Sequence, residues 1–246
     1  MGRGPLKLAV LALSFSFPWA NGALAADLQP ISTVTFKTTD GWTIAADYRP
    51  PQKNHKVVIM IHNLSGSRTD WNVLADSVAA LGLGTLAFDM RGYGKSLEGP
   101  HGTELAREFL DDDWPATLKD VDAAIAFLVA KGVPERRVAL AGSRVGANVA
   151  AMAAVRHPGA AWLLLLSPSD DIHGLSVGDG GTLKTLLVAS QDDTESTEVC
   201  NRLVAADISR TLISATTGRG VALLGDKAIL DKIVAWVKEA SKRELR

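Results

Sequence analysis

From residue 33 onward, stretches in which every second position or every position is apolar give way repeatedly to stretches with apolar residues three and four apart. The first spacing belongs to strands, the second to helices that face a core. Residues 33–37 and 43–48 alternate, and Asp40-Gly41 between them supplies a turn, so together they predict a β-hairpin. Residues 57–61 and 85–88 are continuously apolar, as in strands covered on both faces of a parallel sheet, and helical spacing lies between them at 71–81. The Gly- and charge-rich residues 90–113 read as a loop. Leu118, Val121, Ile125 and Leu128 then share a helix face, with Lys119, Asp120 and Asp122 assigned to the other face.

The alternation continues to the end of the chain. Strands are predicted at 138–140, 162–166, 185–189 and 211–213, and helices at 145–155, 196–205 and 228–240. In the last helix Leu230, Ile233, Val234 and Val237 fall on one side. Two leading antiparallel strands followed by repeated β-α units predict an α/β fold: a doubly wound, mostly parallel sheet of about eight strands. The stretch between Pro168 and Lys184 is too short for a large lid, and no repeat or linker divides residues 26–246, which read as one domain.

Residues 1–25 follow another pattern. Arg3 and Lys7 precede an apolar run from Leu8 to Trp19, and Ala23-Leu24-Ala25 places small residues at cleavage spacing. That is the build of a secretory signal peptide cut before Ala26. The other reading, an N-terminal anchor, is opposed by Pro18 and by a run short of the ~20 residues that span a bilayer. The expectation is an exported protein, periplasmic or secreted, with no stable membrane span after cleavage.

Composition narrows the picture. With 47% hydrophobic and 22% charged residues the chain can bury a sizeable core, and a net charge of −1 gives no ground for a nucleic-acid partner. The single cysteine, Cys200, excludes an intrachain disulfide and a Cys-rich metal site, and reads as a small buried side chain. Neither a cofactor nor a metal is expected. Asp111-Asp112-Asp113 precedes a helix, where carboxylates cap free N–H groups more readily than they collect a metal. Gly92-Tyr93-Gly94-Lys95-Ser96 ends like a phosphate-binding loop, but Asp89 stands where that motif needs its first glycine.

The sharpest local feature is Gly142-Ser143-Arg144-Val145-Gly146, which joins a strand directly to a helix. Glycines four apart permit the strained turn of a nucleophile elbow, Gly-x-Ser-x-Gly, with the central side chain lifted out at the sheet edge. Here that central residue is Arg144. Three further segments occur in matching order. Ile61-His62-Asn63-Leu64-Ser65-Gly66 resembles the His-Gly loop that supplies an oxyanion-hole N–H. Asp89-Met90-Arg91-Gly92-Tyr93-Gly94-Lys95-Ser96 resembles an Asp-x-Arg-Gly-x-Gly-x-Ser loop, and Ala189-Ser190-Gln191-Asp192-Asp193 resembles an acid loop. Taken together the chain resembles the α/β-hydrolase superfamily, closest to its small, lidless dienelactone-hydrolase-like and esterase-like members.

That resemblance implies a Ser-His-Asp triad, and the chain departs from it. Arg144 stands at the nucleophile, Arg219 of Thr217-Gly218-Arg219-Gly220 at the general base, and Asn63 at the oxyanion-loop glycine; only the acid is kept, as Asp193 or Asp192. A guanidinium remains protonated at neutral pH and neither attacks a carbonyl nor shuttles a proton. Losing one triad member costs on the order of 10⁴–10⁶ in rate. Ser143 adjoins the apex, but in the glycine register its side chain points away from the pocket. His62 is expected to order its own loop, and His101 and His173 are the other imidazoles that a relocated base would require.

The expectation is therefore a catalytically degenerate hydrolase relative. Arg144 and Arg219 converge on one pocket beside Asp193, joined by the oxyanion-hole N–H groups of Leu64 and Val145. Such a pocket binds an anionic, carboxylate-bearing small molecule, or else it is plugged by salt bridges and the protein presents a surface to a protein partner. The competing expectation is an active carboxylesterase that uses Ser143 with a relocated base.

Overall fold

The computed structural model describes residues 28–179 and 181–242, so the leader expected over residues 1–25 lies outside the described residues. Eight principal strands form the sheet: β1 (Ser32–Lys37), β2 (Thr43–Arg49), β3 (Val57–Ile61), β4 (Gly84–Phe88), β5 (Val138–Ser143), β6 (Leu163–Leu166), β7 (Thr185–Ser190) and β8 (Thr211–Ala215). Their order is β1-β2-β4-β3-β5-β6-β7-β8. β2 runs antiparallel to both neighbours, and every pair from β4 to β8 is parallel. A two-residue ladder, Glu98–Gly99 with Gly102–Thr103, joins beside β2 at Thr43 and brings the sheet to ten strands. This small hairpin lies in the stretch expected to be plain loop.

Five helices cover the sheet: α1 (Asn72–Ala79), α2 (Leu118–Ala130), α3 (Val145–Arg156), α4 (Thr194–Ala206) and α5 (Lys227–Ala240). The fully buried strand β3 shows why both faces need cover. Val57, Ile59 and Ile61 enter the core under α2, α3 and α4, whereas Val58 and Met60 enter the core under α1 and α5. No large lid interrupts this scheme; the stretch after β6 carries only a hairpin, Asp171–Ile172 with Leu175–Ser176. Among the described residues no helix is long and apolar enough to cross a membrane.

One expectation about α2 is corrected. Asp120 was assigned to the polar face, but it is fully buried and its carboxylate accepts hydrogen bonds from Arg91 N–H (3.0 Å), Nε (2.9 Å) and Nη2 (2.7 Å). Arg91, itself buried, also donates to Asp40 at 2.8 Å. Asp120 stands one residue before Val121 and four before Ala124, inside the apolar stripe, and burial there is tolerated because the guanidinium fork satisfies it.

Candidate functional site

The site is built at the C-terminal ends of the parallel strands. β5 runs into α3 through Arg144, whose φ of 53° and ψ of −117° lie outside the regions that side chains favour. The flanking glycines are required by contact. A Cβ on Gly142 would overlap the carbonyl of Gly146, and one on Gly146 would overlap the carbonyl of Ile61 at the end of β3. Arg144 therefore crowns the turn, with its side chain 32% exposed.

Ser143 points the other way. It is fully buried, and its Oγ accepts the Val221 N–H at 3.1 Å. Ser167, at the end of β6 with a φ of 51°, accepts the Gly220 N–H at 2.9 Å. Two buried hydroxyls thus pin the loop that carries Arg219 against the elbow. Ser167 was not singled out in the sequence, because a lone serine after an apolar strand carries no pattern.

Asp193 follows β7 at the start of α4, where the helix dipole favours its charge. Its carboxylate lies 3.8 Å from Arg144 Nη1 and 3.7 Å from Arg219 Nε. Both are ion-pair distances beyond hydrogen-bond length, and the buried Oδ2 of Asp193 has no hydrogen-bond partner among the described residues. The structure thus brings Arg144, Asp193 and Arg219 together. Asp192 turns elsewhere: the Ser190 hydroxyl at 2.5 Å holds its carboxyl below the usual carboxylate range, and Arg219 Nη2 reaches only its backbone oxygen, at 3.1 Å. Among the described residues the Val145 and Leu64 N–H groups find no protein acceptor. Leu64 is half-buried, Val145 buried.

The histidines stand apart from this cluster. Buried His62 accepts the Met90 N–H at Nε2 (3.0 Å), which leaves Nδ1 as donor to the Asn63 carbonyl (2.6 Å) and ties the loop after β3 to the one after β4. Burial depresses its pKa, although the hydrogen bond to Asn63 opposes the shift. The unfolded chain therefore takes up this proton more readily than the folded one, and stability is lost as pH falls through about 6.5. Thermal melts from about pH 7.5 to 5.5 should show a steeper decline in the parent protein than in His62→Gln; parallel slopes would remove His62 as the source.

His173 stacks on Trp114 (centroids 5.1 Å apart) and its Nδ1 meets Asp111 Oδ1 at 2.7 Å. His101 is exposed. None of the five histidines bonds through its ring to Ser143 or Asp193. In the acidic run, Asp113 accepts the Leu110 N–H at 2.8 Å, as capping demands. Burial pushes the Cys200 thiol up to about 12, so it behaves as core.

The Asp89 loop serves the scaffold. Asp89 is fully buried, and its carboxylate accepts the N–H groups of Arg68 and Lys95 and pairs with the Arg68 guanidinium. The Ser96 hydroxyl donates to the Asp89 carbonyl and accepts the Ala45 N–H. Asn148, one turn into α3, was also missed as a structural residue. Its amide bonds Ser169 N–H, Ser169 C=O and Leu175 C=O, and so straps the hairpin after β6 to the elbow helix.

The elbow, the loops after β3 and β4 and the acid loop all follow strands of one parallel sheet, and the profile of the serine aminopeptidase S33 family matches residues 52–191, more than half of the chain. The chain belongs to that family of α/β-hydrolases. The matched span includes the elbow with Arg144; Asp193 and Arg219 lie beyond it. An uncharacterized protein of Mycobacterium tuberculosis is 33% identical over 138 residues, which are 55% of this S33-family chain and 44% of that protein, so the chain spans less than half the length of the curated relatives it matches. Among solved structures, the Pyrococcus furiosus esterase Pf2001 superposes with a TM-score of 0.68 at 14% identity, covering 87% of this chain and 94% of the esterase. The dienelactone hydrolase of Anabaena variabilis gives a TM-score of 0.68 at 15% identity, covering 86% and 96%. At such identities the likeness is one of fold.

Proposed function

We propose that this S33-family chain is a catalytically silent hydrolase relative whose elbow pocket binds an anionic, carboxylate-bearing small molecule. One observation carries the reading. Two guanidiniums share the Asp193 carboxylate, which neither engages at hydrogen-bond distance, so these three groups hold one positive charge in excess, offset in part by the Asp192 carboxylate near Arg219. The unpaired N–H groups of Leu64 and Val145 add partial positive charge where the family's oxyanion hole would lie. An anion docked there would satisfy the surplus that Asp193 leaves. The fold shared with an esterase and a dienelactone hydrolase supports a small-molecule site at this edge.

The shared ion pairs favour a second reading, in which Asp193 plugs the pocket and the protein acts through a protein partner. Thermal melts with acetate, benzoate and phosphate separate the two. A ligand at about 100 times its Kd adds about 2.7 kcal/mol, a rise of roughly 5–10 °C in Tm for a chain this size. The rise should vanish in Arg144→Ser combined with Arg219→Ser. No shift across the panel would favour the plug. Fluorophosphonate labelling of the parent protein that disappears in Ser143→Ala would sink both and restore the active esterase, although the buried, occupied Ser143 Oγ stands against it.

The chain's action outside the cytoplasm, periplasmic or secreted, belongs to the same proposal and rests on the leader pattern of residues 1–25. N-terminal sequencing of the exported product should begin at Ala26. A product that retains Met1 would refute cleavage.

A further inference from the structure

One side chain at the elbow has an unmet requirement. The Asp193 side chain is only 5% exposed, and its Oδ2 accepts no hydrogen bond among the described residues. A buried carboxylate oxygen left without a donor carries the full cost of its lost hydration. The other buried aspartates of the described residues avoid that cost. Asp89 takes two backbone N–H groups and a guanidinium, and Asp120 takes three bonds from Arg91. Only Asp193 is left so.

The nearest donors stop short of it. Arg144 Nη1 stands 3.8 Å from Oδ2, and Arg219 Nε stands 3.7 Å from Oδ1. Arg219 Nη2 donates instead to the Asp192 carbonyl at 3.1 Å. The Arg144 guanidinium forms no hydrogen bond among the described residues, so nothing but the ion pair holds it over Asp193.

The anion-binding reading of the elbow, on which this inference rests, leaves that oxygen unexplained. A plain carboxylate docked between Arg144 and Arg219 brings a second negative charge toward Asp193 and has no hydrogen to give it. A ligand that carries a donor beside its own carboxylate removes both difficulties. An α-ammonium group would supply the donor, but it sets a full positive charge beside two guanidiniums. A hydroxyl donates without that charge. We infer that the elbow pocket takes a small 2-hydroxycarboxylate. Arg144 and Arg219 hold its carboxylate, and its hydroxyl donates to Asp193 Oδ2 as the Arg144 guanidinium swings outward.

Calorimetric titration of the purified protein with lactate and with propionate tests this, because the two acids differ only in that hydroxyl. At one pH and ionic strength, lactate is expected to bind at least about tenfold more tightly. In Asp193→Ala, whose folding a melt verifies, the difference is expected to shrink to within about twofold while both acids still bind. The comparison in the parent protein decides even if that variant does not fold. Equal binding of the two acids, lost in Arg144→Ser combined with Arg219→Ser, overturns the inference and leaves the anion pocket standing. Binding of neither acid overturns both. A lactate preference undiminished in Asp193→Ala, or tighter binding of alanine or phosphate than of lactate, overturns the inference as well.

Discussion

Arg144→Ser combined with Arg219→His is expected to hydrolyse short-chain chromogenic esters at least about a hundredfold faster than the parent protein, while either single variant stays near the parent rate. The fold brings residues 144, 193 and 219 together. Residue 144 occupies the strained apex that presents a nucleophile. Arg219 Nε already lies 3.7 Å from Asp193 Oδ1, so an imidazole at 219 would have its orienting carboxylate beside it. A Cβ on Gly220 would come within 3.2 Å of Arg144 Cγ, which places the two loops in contact. The single variants lack either the nucleophile or the base, and triad members act as a unit. Steady-state assays with p-nitrophenyl acetate, together with fluorophosphonate labelling at residue 144, decide the matter. A double variant no faster than the parent would point to Asn63, where the family's oxyanion loop has glycine, or to the pocket shape as a further obstacle.

Asp120→Ala is expected to cost on the order of 3–5 kcal/mol, because it strips the buried Arg91 guanidinium of two hydrogen bonds and the Arg91 backbone N–H of a third. For a chain of this size that lowers Tm by roughly 8–15 °C. Asp40, partly exposed, remains as a partner for Arg91 but cannot replace the acceptor under α2. Replacing both partners, as Arg91→Met with Asp120→Leu, should recover much of the loss by removing the unpaired charge. Urea melts of the three proteins provide the measurement. Equal stability of Asp120→Ala and the parent would show that the pair is solvated despite its burial.

Strand and helix positions are legible in the sequence because most principal strands are alternating or predominantly apolar, and helix spacing separates them. Burial of β3 through β7 is the reason those runs carry no charged residue. The elbow was legible for a different reason, since two glycines four apart have a steric cause that survives any change at the residue between them. Asp120 was misread because a charged residue within an apolar stripe looks like the edge of that stripe until its partner is known, and Arg91 lies 29 residues away. The bond from the Val221 N–H to Ser143 spans 78 residues and leaves no local trace in the sequence.

The strap formed by Asn148 ties the chain beyond β6 to the elbow helix. Three buried hydrogen bonds fasten Ser169 and Leu175 to the helix that begins beside Arg144, so lifting this segment away would strip one amide of all its partners at once. Arg219 carries no such anchorage: its side chain is 55% exposed and donates a hydrogen bond to the Asp192 carbonyl.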